Sequence, residues 1–224
     1  MTQDDKTIVR EYFNTTGFER WQRIYGEDDG VNRVQRAIRR GHQRTVKAIL
    51  ERLGAVEGTK VCDAGCGVGS LSIPLAQRGA CVLASDISEQ MVTEARRRWQ
   101  ATGLEGDLEF AVQELEALRG RFDTVICVDV LIHYPLPQAI AMLEHLSRLA
   151  QNRLLFTFAP KTVLLSLLKQ VGGFFPGASK ATRAYQHSEE ELRRVLEQMG
   201  WRISGRVAID EQFYFARLLD CTRG

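Results

Sequence analysis

"VCDAGCGVGS", residues 61–70, carries a short apolar run into a turn with glycine at 65, 67 and 69. The run reads as a strand over 59–63 and the segment after the turn as a helix over 69–78. Glycine at such a junction lets the backbone take positive φ and approach a ligand closely. The alternation continues with strands at 80–85, 108–112, 123–129 and 153–158 and helices at 88–99 and 136–150. Short apolar runs set between amphipathic helices predict parallel strands covered on both faces. A helix over 188–200 starts at a capping box, Ser188 with Glu191, and strands at 201–209 and 211–219 follow almost without a gap. The expected fold is α/β: a Rossmann-like, doubly wound, mostly parallel sheet with one late antiparallel strand. Ahead of it, residues 4–53 read as helical with a break at "GEDDG", 26–30. The expected organisation is a helical arm or cap over 1–53 and the sheet domain over 54–224, with an apolar insertion at 160–187.

The composition suits that plan. A chain of 224 residues, 44% hydrophobic and 26% charged, has room for one full core, and its net charge of +2 selects no partner class. No run approaches the roughly 20 apolar residues that cross a bilayer. The opening "MTQDDKTIVR" is too polar for a secretory leader, so a cytoplasmic location is expected. The cysteines at 62, 66, 81, 127 and 221 form no C-x-x-C pair. They read as reduced thiols, three in strands, Cys66 in the turn and Cys221 in the tail, with no metal site.

The ligand of the turn is read from its spacing. A dinucleotide turn has the pattern G-x-G-x-x-G and sets a pyrophosphate on the helix N-terminus. Here Gly69 comes one residue early, and Asp63 stands at the mouth, where a carboxylate repels a pyrophosphate but accepts from an ammonium group. The stretch resembles the first motif of the class I S-adenosylmethionine-dependent methyltransferases, whose cofactor has an amino-acid tail, a sulfonium and no phosphate. In "CVLASDIS" Asp86 lies 23 residues beyond Asp63, where an acid accepts from both ribose hydroxyls. In "LEFAVQELEAL" Glu114 replaces the Asp that family members use for the adenine amino group. "FDTVICVDVLIHYP" resembles the fourth strand and its exit loop, with Asp129 near the cofactor. The expected cofactor contacts are Asp63, Gly65, Gly67, Gly69, Asp86, Ile87, Glu114, Leu115 and Asp129, with S-adenosylhomocysteine as the spent cofactor.

The acceptor end is read by elimination. The exit loop "VDVLIHYP" lacks the Asn/Asp-Pro-Pro-aromatic element of enzymes that methylate adenine or amide nitrogen. Arg33, Arg36, Arg39, Arg40 and Arg44 form a basic run, with 33, 36, 40 and 44 on one helical face. A solvated face is the ordinary explanation, and an anionic small substrate, an anionic membrane surface and RNA are the functional ones. Without interleaved aromatic residues RNA ranks last, so no nucleic-acid partner is expected. Residues 157–188 contain more apolar residues than one helix face needs: a core helix, a lid over a large flat substrate, or a membrane-facing edge. Phe18, Trp21, Ile24 and Tyr25 supply a possible opposing wall, so 8–25 and 161–180 read either as hinged flaps or as permanent core.

"DDKTIVREYFNTTGFERWQRIYG", "IRRGHQRTV", "VDVLIHYP" and "FAPKT" together resemble the magnesium-protoporphyrin IX O-methyltransferase family over nearly the whole chain. The resemblance implies methyl transfer to the ring-C propionate of Mg-protoporphyrin IX, a step of chlorophyll or bacteriochlorophyll synthesis. It also implies cooperation with the large magnesium-chelatase subunit and loose peripheral contact with the photosynthetic membrane. A propionate is already ionised at neutral pH, so the task is proximity and desolvation rather than strong base catalysis. His133 and Tyr25 are the expected orienting groups, His133 having the further option of an axial contact to the substrate's Mg²⁺. His42 is a weaker candidate, and His145 and His187 read as a helix-surface and a pre-cap residue. The competing functions are an O-methyltransferase of another hydrophobic molecule, such as a quinone precursor, and a non-catalytic cofactor-binding regulatory partner.

Overall fold

The computed structural model describes residues 3–26, 30–161 and 184–224. Helices α1 (Gln3–Phe13), α2 (Thr16–Ile24) and α3 (Arg33–Leu53) precede β1 (Lys60–Ala64), α4 (Ser72–Gln77), β2 (Cys81–Asp86), α5 (Glu89–Ala101) and β3 (Leu108–Val112). Then come β4 (Phe122–Cys127), α6 (Leu136–Leu149), β5 (Ala150–Phe158), α7 (Glu189–Gln198), β6 (Trp201–Glu211) and β7 (Tyr214–Arg223). The seven strands lie in the order β3-β2-β1-β4-β5-β7-β6. Strands β1 to β5 pair in parallel, and β7 runs antiparallel to both β5 and β6. This is the Rossmann-like architecture expected from the sequence.

Period-two burial explains why the central strands are apolar throughout. Cys62, Ala64, Val125, Cys127, Leu154 and Phe156 join one core with Leu143, Leu146, Leu192 and Leu196. Their neighbours Val61, Ile126 and Leu155 face the other way, with Ile49, Leu75 and Val92. A strand flanked by helix layers on both sides has no polar face to present.

Several local expectations change. The 201–209 and 211–219 strands are longer, Trp201–Glu211 and Tyr214–Arg223, because only Gln212 and Phe213 separate them. Phe213 turns the corner at φ 66, without the Gly or Asn that marks such a turn in a sequence. Cys221 is therefore not in a tail but fully buried within β7. All five cysteines are free thiols. Ser188 is the N-cap residue of α7 by position, yet its side chain makes no capping bond, so the capping box is not formed. The box that does form is on α3, where Asn32 and Gln35 bond reciprocally. His187 precedes the Ser188 N-cap, as expected, and is buried, with Nε2 3.0 Å from the Leu131 carbonyl. His145 instead reaches the Leu118 carbonyl at 3.1 Å.

The insertion at 160–187 lies outside the described residues over 162–183. Its two ends are described and fastened together. Lys161 N donates to the His187 carbonyl and His187 N to the Ala159 carbonyl, each at 2.9 Å. Tyr185 N donates to the Ile132 carbonyl at 2.7 Å, tying the same end to the loop after β4. Among the described residues no helix is long and apolar enough to cross a membrane.

Candidate active site

The C-terminal ends of β1, β2 and β4 open into a cleft of about 800 Å³. It is bounded by the glycine turn, α1, α2, the loop after β4 and the tip of the β6–β7 hairpin. The glycine turn follows β1 because two backbone demands exclude side chains there. Gly65 takes φ +87, and a Cβ on it would meet Val130 Cγ2 at 2.2 Å. Gly67 takes φ +52 with open space around it, so its demand is conformational rather than steric. Gly65 N and Cys66 N donate to the Ser85 carbonyl at 2.8 and 2.9 Å, fixing the turn against β2.

Asp86, the last residue of β2, is clamped by that turn. Its Oδ2 accepts from Gly67 N at 3.0 Å and its Oδ1 from Ser88 N at 2.9 Å. Burial pushes its carboxyl up, and these backbone bonds oppose the shift. Each oxygen retains a lone pair for a ribose hydroxyl. Asp63 lies deeper, 1% exposed and bonded by the Ser72 hydroxyl. Burial pushes it up to about 6, with the Ser72 bond opposing. Ile87 and Leu115 both line the cleft.

Glu114 lines the cleft too, and each of its oxygens accepts from the arm, Oε2 from Lys6 Nζ at 2.7 Å and Oε1 from Arg10 Nη2 at 2.5 Å, with one lone pair left on each. Lys6 also meets Glu116 at 2.9 Å. The acid read as an adenine contact is also an anchor of α1. Further bonds secure the arm: Ser88 Oγ to the Phe13 carbonyl at 3.1 Å, Arg98 Nη1 to the Tyr25 carbonyl at 2.9 Å, and Arg39 Nε to the Ile24 carbonyl at 2.8 Å. The basic run resolves the same way. Arg33 reaches Gln212, Arg36 the Val31 carbonyl, and Arg44 pairs with Glu211 at 2.8 Å, with Arg40 3.7 Å from the same carboxylate.

Asp129, just past β4, sits in the left-handed region at φ 57. Its side chain gathers groups from three distant elements. Tyr214 donates to its carboxylate, His42 Nδ1 stands 3.0 Å from Oδ2, and Thr157 Oγ1 reaches Oδ1 at 3.3 Å. Asp129 N donates to the same Thr157 hydroxyl at 2.8 Å. A non-glycine residue holds such a backbone only where its surroundings over-determine it.

His133 and Tyr25 both reach the cleft. His133 ends a 3-10 turn, Leu131–His133, with its ring edge-on to Phe13 at 5.2 Å. Burial pulls it down to about 4, so it is a neutral imidazole at physiological pH. Tyr25 caps α2 and stacks between Trp21 at 5.2 Å and His42 at 4.2 Å. Burial and the Asp129 and Asp86 carboxylates hold its phenol protonated. Trp21 lines the wall as expected and Ile24 is fully buried behind it, whereas Phe18 does not reach the cleft. Sequence reasoning missed the hairpin wall, Phe213 to Ala216, and Arg20. No motif marks the hairpin residues; Arg20 lies inside the quoted aromatic segment.

These residues fit S-adenosylmethionine. Three buried nitrogens around the cleft, Trp21 Nε1, His42 Nε2 and His133 Nδ1, have no hydrogen-bond partner among the described residues, which calls for polar ligands. The cleft offers carboxylates for an ammonium and a ribose. Among the described residues no cluster of metal-ligating side chains occurs.

Comparison with known proteins agrees. A family model described as magnesium-protoporphyrin IX methyltransferase C-terminus matches residues 127–223, and a methyltransferase domain model matches 61–153. The magnesium-protoporphyrin O-methyltransferase of Synechocystis sp. is 54% identical, over 98% of this chain and 97% of that protein. The chloroplastic magnesium protoporphyrin IX methyltransferase of Arabidopsis thaliana is 54% identical, over 96% of this chain and 70% of the relative. A crystal structure of the Synechocystis enzyme with bound S-adenosylhomocysteine superposes with a TM-score of 0.90 at 53% identity, covering 98% of this chain and all of that one. The likeness runs through the arm and the hairpin as well as the sheet, and this chain belongs to the magnesium-protoporphyrin O-methyltransferase family of S-adenosylmethionine-dependent enzymes.

Proposed function

We infer that this chain transfers a methyl group from S-adenosylmethionine to the ring-C propionate of Mg-protoporphyrin IX, giving the monomethyl ester. The observation that carries the reading is the end-to-end relationship, 54% identity over 98% of the chain, because it includes the arm and hairpin that wall the cleft. A quinone-precursor enzyme or a non-catalytic partner would share the sheet without needing those walls. When bound, S-adenosylmethionine supplies a sulfonium-activated methyl group.

The chain's own part is placement and exclusion of water. Asp86 and the glycine turn hold the nucleoside, with Asp63 and Asp129 near the charged tail. His133, neutral, orients the acceptor carboxylate through a ring N–H or meets the Mg²⁺ axially through its lone pair. Tyr25, kept protonated by its burial, has a phenol O–H to offer the same carboxylate. Phe13, Trp21 and Phe213 line the cleft and strip water from an anion that needs no deprotonation. Arg20, a cleft-lining cation with no salt bridge among the described residues, suits the second propionate. On the family relationship alone, we extend the proposal to cooperation with the large magnesium-chelatase subunit and to a peripheral membrane contact that spans nothing. Incubation of the protein with Mg-protoporphyrin IX and methyl-labelled cofactor tests the reading: the labelled monoester is expected, and absence of label transfer with the porphyrin overturns it.

A further inference from the structure

His42 is the polar group of the cleft that the reaction as described leaves idle. It stands on α3, and the Asp129 carboxylate 3.0 Å from its Nδ1 also takes the Tyr214 phenol. An acceptor so placed requires a hydrogen on Nδ1. The opposite nitrogen, Nε2, is buried and has no partner among the described residues, and the Tyr25 ring lies tilted against the imidazole at 4.2 Å. A ring fixed this firmly at one nitrogen and left unsatisfied at the other is prepared for a ligand.

Its place in the cleft identifies the ligand. Among the described residues, the cationic or imidazole side chains lining the cleft are Lys6, Arg20, His42 and His133. Lys6 is committed to Glu114 and Glu116. Arg20 stands on α2, and His133 lies past Asp129 against Phe13. His42 alone of the four also borders Gly69 and Ser70, at the end of the glycine turn. It lies close enough to the buried Asp63 carboxyl to favour its ionised form. The amino-acid tail of the cofactor belongs at this end of the turn, and it carries an anion as well as an ammonium. Asp63 and Asp129 suit the ammonium; neither can take the carboxylate.

We propose that His42, held by Asp129, binds the carboxylate of the cofactor's amino-acid tail through its Nε2 hydrogen. The ring then bridges two carboxylates, Asp129 at Nδ1 and the tail at Nε2, both charge-assisted bonds. This rests on the cofactor assignment, so the test uses two probes that differ only in the tail. S-adenosylhomocysteine carries it; 5′-methylthioadenosine keeps the nucleoside and the thioether without it.

Binding of both probes is measured by calorimetry on the unaltered protein, H42N and H42Q. Asparagine places its amide near Nδ1 and keeps the Asp129 bond, while glutamine reaches the Nε2 position. H42N should bind S-adenosylhomocysteine at least tenfold more weakly while its methylthioadenosine affinity changes less than twofold, and H42Q should recover part of the loss. Equal losses for both probes, or no loss, overturn the proposal. In the unaltered protein, ¹⁵N-histidine spectra should show one Nε2 resonance, missing in H42Q, that moves with S-adenosylhomocysteine and stays put with methylthioadenosine. A resonance indifferent to the tail overturns the proposal even if H42N does not fold. Failure of the unaltered protein to bind either probe would instead sink the cofactor assignment.

Discussion

The Tyr214 phenol donates to both carboxylate oxygens of Asp129, at 2.9 and 3.0 Å. The first residue of the last strand thus steadies the residue that follows β4, and the hairpin becomes part of the cofactor cleft. Tyr214→Phe removes that donor while His42 and Thr157 remain. A hydrogen bond to a charged group is worth about 1.5–3 kcal/mol, and the remaining partners place the loss at the lower end. Urea unfolding should show that destabilisation, together with a severalfold weaker cofactor affinity. Unchanged stability would mean that Asp129 is held without Tyr214.

Gly41 on α3 is a packing requirement of the same contact. An alanine Cβ there would meet the Tyr214 ring at 2.3 Å, and the ring is hemmed in by Asp129 and by Thr45 Oγ1, 2.9 Å from its hydroxyl. Glycine to alanine inside a helix normally stabilises by about 0.5–1 kcal/mol. Overpacking costs about 1–3 kcal/mol, so the clash decides the sign. Gly41→Ala should lower the melting temperature and weaken cofactor binding together, because it displaces Tyr214. A stabilised Gly41→Ala protein would show that the ring moves freely.

What the sequence disclosed and what it hid divide along a physical line. The strand–helix alternation, the glycine turn and Asp86 are local signals: period, φ demand and spacing all lie within a few residues of each other. The Asp129 network depends on contacts between positions such as His42, Thr157 and Tyr214, separated by dozens of residues. No local pattern marks those, and the sequence leaves His42 only a weaker candidate, beside Gly41 in a basic segment. The hold of Glu114 on α1 was hidden for the same reason, since its partners Lys6 and Arg10 lie more than 100 residues away in sequence. Ser188 shows the converse: a local capping pattern was present and its side chain makes no capping bond.

Asp86→Ala should act on both the cofactor and the turn. Losing two charge-assisted bonds to the ribose should cost roughly 1.5–3 kcal/mol each. The variant also strands Gly67 N, which donates to Asp86 at 3.0 Å, so a measurable stability loss accompanies the affinity loss. Calorimetry and thermal unfolding on the same sample check both. Unchanged affinity in a folded variant would remove Asp86 from the site.

Glu94 links acid stability to the arm. It is 5% exposed and bonded by Arg97 and Arg98, and Arg98 in turn holds the Tyr25 carbonyl. The Arg97 hydrogen bond leads in pulling its carboxyl down to about 2, with burial opposing and Arg98 adding to the pull. A depressed carboxyl stabilises the folded state above its unfolded value near 4.5 and loses that contribution as pH falls toward 2. Discounted for Arg97, which is 65% exposed, the effect should be about 1–2 kcal/mol. The difference in unfolding free energy between the unaltered protein and Glu94→Gln should therefore shrink between pH 5 and 2. A constant difference across that range would show that Glu94 carries no such linkage.

In the proposed function His133 serves the acceptor side of the site, and its ring packs against Phe13. Held down at about 4 by burial, it is uncharged at working pH and acts as a hydrogen-bond donor or a nitrogen ligand, not as a counter-ion. His133→Ala should therefore leave S-adenosylhomocysteine affinity nearly unchanged. A lost hydrogen bond to the acceptor carboxylate is worth about 1.5–3 kcal/mol, roughly ten- to a hundredfold in kcat/KM for the porphyrin. Glutamine, which keeps an N–H donor but is a poor magnesium ligand, separates the two modes. Recovery in His133→Gln identifies orientation of the carboxylate, and no recovery identifies axial contact with Mg²⁺. If His133→Ala loses the cofactor and still binds the porphyrin, the loop after β4 serves the cofactor end and the acceptor enters from another wall.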